Sequence, residues 1–176
     1  MQRSTATIGS AVFFVVAPGV VAGLVPWLIS GWQLPPPASP LAIVRMTTGL
    51  ALLVLAVAVL VRAFARFVVE GGGTPAPVAP TERLVVGGDY RFVRNPMYLA
   101  VVTTVLGQAM IFGSLALLGY ALSVWAIMAA LVRWYEEPVL LRRYGNQYQR
   151  YREAVRAWIP RLRPWQADID HTGGSS

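Results

Sequence analysis

The chain has no cysteine, no lysine and a single histidine among its 176 residues. Without cysteine it can form no disulfide, no thiolate nucleophile and no cysteine-ligated metal site. The one histidine, His171, lies in the polar tail 166–176, where we interpret it as solvated. One histidine in such a tail is a poor basis for a zinc site or a Ser-His-Asp triad, so no metal is expected.

Charged residues are also scarce, at 13% of the chain against roughly 25% in a soluble domain, whereas hydrophobic residues reach 56%. A lipid bilayer explains this balance better than an unusually large core. The net charge of +7 is carried by arginine alone, which suits either nucleic acid or anionic lipid. Apolar segments beside the arginines favour the membrane lipid bilayer as the partner, and no nucleic acid is expected.

Four apolar runs predict transmembrane helices at about residues 8–29, 41–61, 97–112 and 115–132, the third being short for a bilayer core of about 30 Å. The first run contains Pro18 and Pro26, which a membrane helix tolerates as kinks. A cleaved signal peptide is the alternative for this run. Only Arg3 precedes it and no small-residue cleavage site follows, which favours a retained helix.

Two of the connecting segments are informative. Only Gly113 and Ser114 separate the third and fourth runs, which predicts a tight antiparallel hairpin. Residues 62–95 form a long polar stretch centred on the glycines 71–73. A phosphate-binding loop would need a lysine and Ser/Thr at a set spacing and a preceding strand, so we predict a flexible connector instead.

Beyond the fourth run, apolar and aromatic residues recur at steps of three and four, which predicts an amphipathic helix over about 138–159. Pro138 suits its first turn, Gly145 is expected to break it in two, and Pro160 ends it. The sequence therefore predicts an all-α integral membrane protein. A single domain covers residues 1–165, and the polar tail 166–176 follows it.

Every arginine except Arg45 lies near the N-terminus, within residues 62–95, or beyond the fourth run. With four spans, these three regions share one side of the membrane, and the positive-inside rule makes that side cytoplasmic. The expected location is a bacterial inner membrane, with both termini in the cytoplasm.

Two polar clusters flank the predicted hairpin, one over residues 82–98 and the other over 133–138. Because the first enters the third span and the second leaves the fourth, both are predicted to meet at one membrane surface. Taken one at a time, these residues could simply anchor helix ends at the interface. Together they put charged, amide and phenol groups where a helix enters lipid, which is costly unless the groups are paired or functional.

Residues 88–98 resemble the Gly-x-Tyr-x-x-x-Arg-His-Pro-x-Tyr signature of isoprenylcysteine carboxyl methyltransferases and their bacterial relatives; they read Gly88-Asp89-Tyr90-Arg91-Phe92-Val93-Arg94-Asn95-Pro96-Met97-Tyr98. The second half agrees, with Glu136-Glu137-x-x-Leu140, then Tyr144-Gly145-x-x-Tyr148-x-x-Tyr151, then Ile159-Pro160. The likeness covers Thr81 to about Arg163. Phospholipid N-methyltransferases are similar more distantly, chiefly in the glutamate pair and the membrane setting.

The resemblance implies S-adenosylmethionine as the cofactor, bound outside any Rossmann fold, and methyl transfer to a lipophilic small-molecule acceptor that enters from the bilayer. The absence of a Gly-x-Gly-x-x-Gly turn agrees with this. By position, the implied catalytic candidates are Arg94, Asn95 and Arg133. The implied cofactor-binding residues are Glu82, Arg83, Leu84, Val85, Tyr90, Arg94, Asn95, Pro96, Met97, Tyr98, Glu136 and Glu137.

These residue types suit the cofactor. Glu136 can accept hydrogen bonds from the cofactor's ammonium, and Arg94 can pair with its carboxylate. Tyr90 and Tyr98 can pack on the adenine or face the sulfonium cation.

Two positions depart from the isoprenylcysteine enzymes. Asn95 stands where they have histidine, and an amide cannot titrate near neutral pH as a general base would. Their substrate-binding arginine, one turn before the glutamate pair, is matched by Val132, with Arg133 one place later; that shift is about 100° around a helix. The cofactor site is therefore carried over, and the prenyl-cysteine substrate is not.

Two other functions stay open. Membrane sterol reductases are similar in their C-terminal half and use NADPH, although this chain is short for that group. The other possibility is a non-catalytic membrane scaffold that keeps the fold. Cofactor binding separates these alternatives from methyl transfer.

Overall fold

The computed structural model describes residues 16–71 and 83–166, and over these residues the protein is helical, with no β-strand. A 3₁₀ helix, Gly88–Arg91, precedes the third helix, and a π-helical turn, Val132–Glu136, joins the fourth to the fifth. The helices are α1 (Val16–Ser30), α2 (Pro40–Gly71), α3 (Pro96–Phe112), α4 (Leu115–Leu131) and α5 (Glu137–Ala154). This confirms the predicted all-α class.

Two helices are long and apolar enough to cross a membrane, namely Pro40–Arg66 within α2 and the continuous run Leu115–Ala154. Only 17% and 22% of their apolar windows are buried inside the protein. An apolar helix in the core of a soluble protein would be covered by its neighbours, so these exposed faces support a lipid environment. α1 and α3 are apolar but shorter.

The packing of α2 against α3 depends on two glycines that let the backbones touch. A Cβ built on Gly49 would lie 2.7 Å from the carbonyl oxygen of Gly107, and one built on Gly107 would lie 2.8 Å from the carbonyl oxygen of Gly49. Small residues at such crossings are characteristic of membrane helices, where close van der Waals packing replaces the hydrophobic effect.

The hairpin between α3 and α4 forms as predicted. Gly113 ends α3 in the left-handed region (φ +62°), and its N–H donates to the carbonyl of Ala109. Ser114 then begins α4, its side chain accepting a hydrogen bond from the N–H of Leu117 at 3.2 Å. The Arg45 guanidinium lies next to position 113, but it ends a flexible side chain that can move, so the left-handed φ is the reason for glycine here.

Proline interrupts the hydrogen bonding of α1, as its position in the sequence predicts. Pro26 has no N–H, so the carbonyl of Ala22 lacks its α-helical donor. The π-helical turn Val20–Leu24 moves the Val25 N–H onto the carbonyl of Val20. The carbonyl of Val21 is then left without a donor, because the next candidate is again Pro26.

Side chains from α3 and α4 satisfy the two carbonyls that α1 leaves free. The Gln108 side-chain amide donates to Ala22 at 2.7 Å, and the Tyr120 hydroxyl donates to Val21 at 3.0 Å. The Trp32 indole N–H donates in turn to the Gln108 side-chain oxygen at 3.1 Å. Unsatisfied backbone groups are costly in lipid, so these bonds fasten α1 to the other helices.

α2 contains the predicted apolar span 41–61 and continues past it to Gly71, with Arg66 and Glu70 forming an i,i+4 ion pair at 3.0 Å. A helix can leave the bilayer and continue in water when its exposed turns are paired in this way. The polar stretch predicted over 62–95 is therefore helical as far as Gly71, and residues 72–82 lie outside the described residues, as do residues 8–15 of the first span.

The helix predicted to carry Pro138 in its first turn is present, since α5 begins at Glu137. It follows α4 without an intervening loop, because the π-helical turn Val132–Glu136 connects the two helices. The predicted break at Gly145 is confirmed, with φ +49° and ψ −126° inside α5. The helix ends at Ala154 rather than near residue 159.

We expect Gly107→Ala to destabilise the protein and Gly119→Ala to leave it as stable or more so. Alanine favours a helix by up to about 1 kcal/mol over glycine, and a Cβ on Gly119 meets nothing within 4 Å. At position 107 the same methyl group must push α2 away. Thermal unfolding in detergent measures both variants, and equal shifts in Tm would contradict the close contact.

Candidate active site

The centre of the candidate site is a hydrogen bond between the Tyr98 hydroxyl and the Glu136 carboxylate. Tyr98 lies in the first turn of α3, and Glu136 is the last residue of the π-helical turn after α4. α3 and α4 are each 17 residues long, so the hairpin returns the chain to the level at which it started. The predicted meeting of the two polar clusters is confirmed by this contact.

The π-helical turn decides which way each glutamate faces. It accommodates one extra residue in the hydrogen-bonded ring, which rotates the following side chains relative to a regular α-helix. Glu136 reaches Tyr98, while Glu137 is buried against a different partner. Arg133, a predicted catalytic residue, is exposed in the same turn.

Arg94 and Glu137 form a buried ion pair at 3.0 Å, with side chains only 11% and 8% exposed. The same Arg94 nitrogen also donates to the Tyr148 hydroxyl at 3.1 Å, and Arg152 approaches Glu137 from solvent at 3.8 Å. This network joins the loop before α3 to both halves of α5. Sequence reasoning paired Arg94 with a cofactor and missed its protein partners.

One hydrogen-bond donor of Arg94 takes no part in this network. Its Nε is buried and has no hydrogen-bond partner among the described residues. Buried donors are nearly always paired, so this N–H requires an acceptor that the described part of the chain does not supply.

The segment before the 3₁₀ helix lines the site with alternating side chains. Val85 packs with Ala63 and Tyr90, and Met97 lies against this cluster. Leu84 and Val86, on either side of Val85, face the opposite way and pack against the cluster of Tyr148 and Tyr151 on α5. Arg83 is exposed and Pro96 is buried at the start of α3, whereas Glu82 lies outside the described residues.

The segment after α5 folds back over the loop that carries Arg94. The Asn95 side-chain amide donates to the carbonyl of Ala157 at 3.2 Å, so this predicted catalytic residue holds the C-terminal segment in place. Three backbone hydrogen bonds run alongside it, from Arg94 to Arg156, from Arg161 to Phe92 and from Trp165 to Arg91. Nothing in the sequence pattern of residues 155–165 indicated this pairing.

Tyrosines of α5 complete the enclosure. The Tyr151 hydroxyl donates to the backbone carbonyl of Tyr90 at 2.7 Å, and the Tyr151 ring lies 5.4 Å from that of Trp165. Burial raises the pKa of Tyr151 and of Tyr90, and it raises the pKa of Tyr148 despite the nearby Arg94. All three phenols therefore stay protonated at neutral pH. The three- and four-residue spacing that predicted one helix face is the signal that could have identified this group.

The fold and site together define an α-helical membrane protein with a carboxylate–phenol pair where two helices meet a polar loop. A sequence profile of the phospholipid methyltransferase family matches residues 44–147, more than half of the chain. The chain belongs to that family. The matched range includes Arg94, Tyr98, Glu136 and Glu137.

Individual relatives agree with the resemblance drawn from the motifs. Protein-S-isoprenylcysteine O-methyltransferase of Schizosaccharomyces pombe is 32% identical over 78 residues, which are 44% of this chain and 33% of that protein. Protein-S-isoprenylcysteine O-methyltransferase A of Arabidopsis thaliana is 33% identical over 78 residues, 44% of this chain and 39% of that protein. The shared region thus spans well under half of either relative.

We expect Glu137→Gln to lower stability by about 3–5 kcal/mol, because it leaves the buried Arg94 charge uncompensated. Glu153→Gln is the matched control, since Glu153 is exposed and accepts a hydrogen bond only from Gln149 among the described contacts. Thermal unfolding in detergent measures both. A Glu137→Gln protein as stable as the control would show that the ion pair does not hold the loop.

Proposed function

We propose that the protein transfers a methyl group from S-adenosylmethionine to a lipophilic acceptor at the Tyr98–Glu136 site. The observation that carries this proposal is the contact between those two side chains, which lie 38 residues apart in the chain. Membership of a methyltransferase family supports the class of reaction.

The donor set fits the cofactor. Among the described residues the Tyr98 hydroxyl is the polar partner of Glu136, so this carboxylate is available to accept from an ammonium group. The spare Nε of Arg94 needs an acceptor, and a carboxylate is one. Tyr90 and Tyr98 offer aromatic faces to a sulfonium. S-adenosylmethionine would supply an electrophilic methyl group.

The protein's own contribution is to position the methyl donor and the acceptor and to enclose them. Methyl transfer is an in-line displacement, for which holding the nucleophile in place can supply several kcal/mol. We assign Asn95 to holding the C-terminal segment over the site, because its amide cannot accept a proton and already donates to Ala157. Arg133, exposed in the π-helical turn, is the candidate for binding the polar end of the acceptor.

Asn95 also limits the acceptors that suit the site. A hydroxyl or thiol must lose a proton during methylation, which usually requires a base. A carboxylate is already ionised at neutral pH and needs none. We therefore favour an acceptor that is nucleophilic without prior deprotonation.

We also propose that all four apolar helices cross a bacterial inner membrane, with both termini in the cytoplasm. The arginine distribution supports this orientation, because every arginine except Arg45 lies in the regions assigned to the cytoplasmic side. The acceptor would then enter sideways from lipid between α3 and its neighbours, and the cofactor would enter from the cytoplasm.

We expect the purified full chain to bind S-adenosylmethionine, and Glu136→Gln to weaken that binding by about tenfold to a hundredfold. A hydrogen bond to a charged group contributes about 1.5–3 kcal/mol, which corresponds to that range. Isothermal titration in detergent measures the affinity. Glu153→Gln removes one exposed carboxylate of the same kind and is expected to bind normally.

The same titration with NADPH separates the alternatives. Binding of NADPH in place of S-adenosylmethionine would identify a reductase, and binding of neither would leave a scaffold. Unchanged binding of S-adenosylmethionine by Glu136→Gln would refute the site while leaving the reaction class intact.

The absence of cysteine makes the topology simple to test with single-cysteine variants. Ala38, in the loop between α1 and α2, and Asn146, in α5, are both exposed. We expect a membrane-impermeant maleimide to label Ala38→Cys in intact spheroplasts and Asn146→Cys only after the membrane is opened. Labelling of both variants in intact spheroplasts would contradict the proposed orientation.

A further inference from the structure

The segment after α5 exposes apolar side chains among arginines. Leu162 is fully exposed at 101%, and Ile159 is 59% exposed. Neither side chain is buried against the protein, although the segment that carries them folds back over it. Arg161 and Arg163 flank Leu162 directly, and Arg156 precedes the segment. Exposed apolar residues next to cations are typical of a surface that contacts lipid.

Beside these residues the protein has a cavity of about 420 Å³, lined by Glu153, Ala154, Arg156, Pro160, Arg161 and Leu162. Arg161 is fixed in its wall, because its guanidinium donates to the carbonyl of Ala154 at 2.7 Å. Arg156 is exposed and also lines this cavity. The one acid, Glu153, accepts a hydrogen bond from Gln149 at 3.2 Å.

The same segment is fastened to the apolar part of the molecule. Trp158 meets Trp125 of α4 edge to face, with ring centroids 6.2 Å apart and planes at 74°. Because α4 belongs to a helix long and apolar enough to cross a membrane, this contact keeps residues 156–162 beside the bilayer rather than out in solvent.

We propose that this cavity and its rim bind an anionic phospholipid, with the phosphate between Arg156 and Arg161 and the acyl chains along Leu162 and Ile159. Charge complementarity selects an anionic lipid, since two arginines outweigh one hydrogen-bonded glutamate. The apolar rim selects a lipid over a free anion, which would gain nothing from an exposed leucine. The bound lipid would hold the C-terminal segment closed over the Asn95 loop.

Lipid binding to the purified full chain tests this directly. We expect phosphatidylglycerol added to protein in neutral detergent to raise the Tm, while phosphatidylcholine and inorganic phosphate do not. Arg156→Gln is expected to weaken the apparent affinity for phosphatidylglycerol by about fivefold, the effect of one arginine near an anionic lipid surface. Arg142→Gln, which removes an equally exposed arginine of α5, is the matched control and should behave as the parent protein.

Leu162→Asn tests the apolar half of the site without touching a charge, and it is expected to reduce the phosphatidylglycerol effect as well. An equal response of Arg156→Gln and Arg142→Gln would overturn the proposal, because it would show only general attraction of a basic protein to anionic lipid. A rise in Tm with inorganic phosphate equal to that with lipid would also overturn it. Neither result bears on S-adenosylmethionine binding, which the Glu136 variant tests separately.

Discussion

The arrangement of the site depends on the buried ion pair between Arg94 and Glu137. Each charge is almost completely removed from water, and each would be strongly unfavourable without the other. A buried pair of this kind contributes little net stability, but it permits only one alignment of the loop before α3 with the start of α5. Glu136 is the adjacent residue, so fixing Glu137 against Arg94 also fixes Glu136 beside Tyr98.

The same requirement for satisfied polar groups operates inside the bundle. Pro26 and the π-helical turn of α1 leave backbone carbonyls free, and Gln108 of α3 provides a donor at that depth. A second π-helical turn, before Pro138, lies between the two helices that form the site. In both places a π-helical turn lies next to a proline, which has no N–H to donate, and at Pro26 side chains of neighbouring helices supply the missing donors.

Patterns along the chain predicted the helical class, the hairpin at Gly113 and the break at Gly145, because each depends on local composition or on a residue's own conformational limits. They also predicted the meeting of Tyr98 with Glu136, since a two-residue turn leaves little choice about which helix ends become neighbours. They did not predict that Arg94 pairs with Glu137, because periodicity identifies a face without naming its partner. The π-helical turn between α4 and α5 was not predicted, because the position of Pro138 indicates the first turn of a helix but not how that helix connects to the preceding one.

The boundary of the family match divides the site into two parts. The matched residues 44–147 include the carboxylates, Tyr98 and Arg94, which are the groups proposed to hold the cofactor. Residues beyond 147 pack against this part of the chain: Tyr148 and Tyr151 on α5, and the C-terminal segment, which the Asn95 amide contacts at Ala157. A cofactor site common to a family can serve different acceptors only if another part of the protein controls what reaches it. We propose the C-terminal segment for that part, because it contacts the site loop on one side and Trp125 of an apolar helix on the other. Under the proposed function, this position would couple access to the site with contact to the membrane, as a lipophilic acceptor requires.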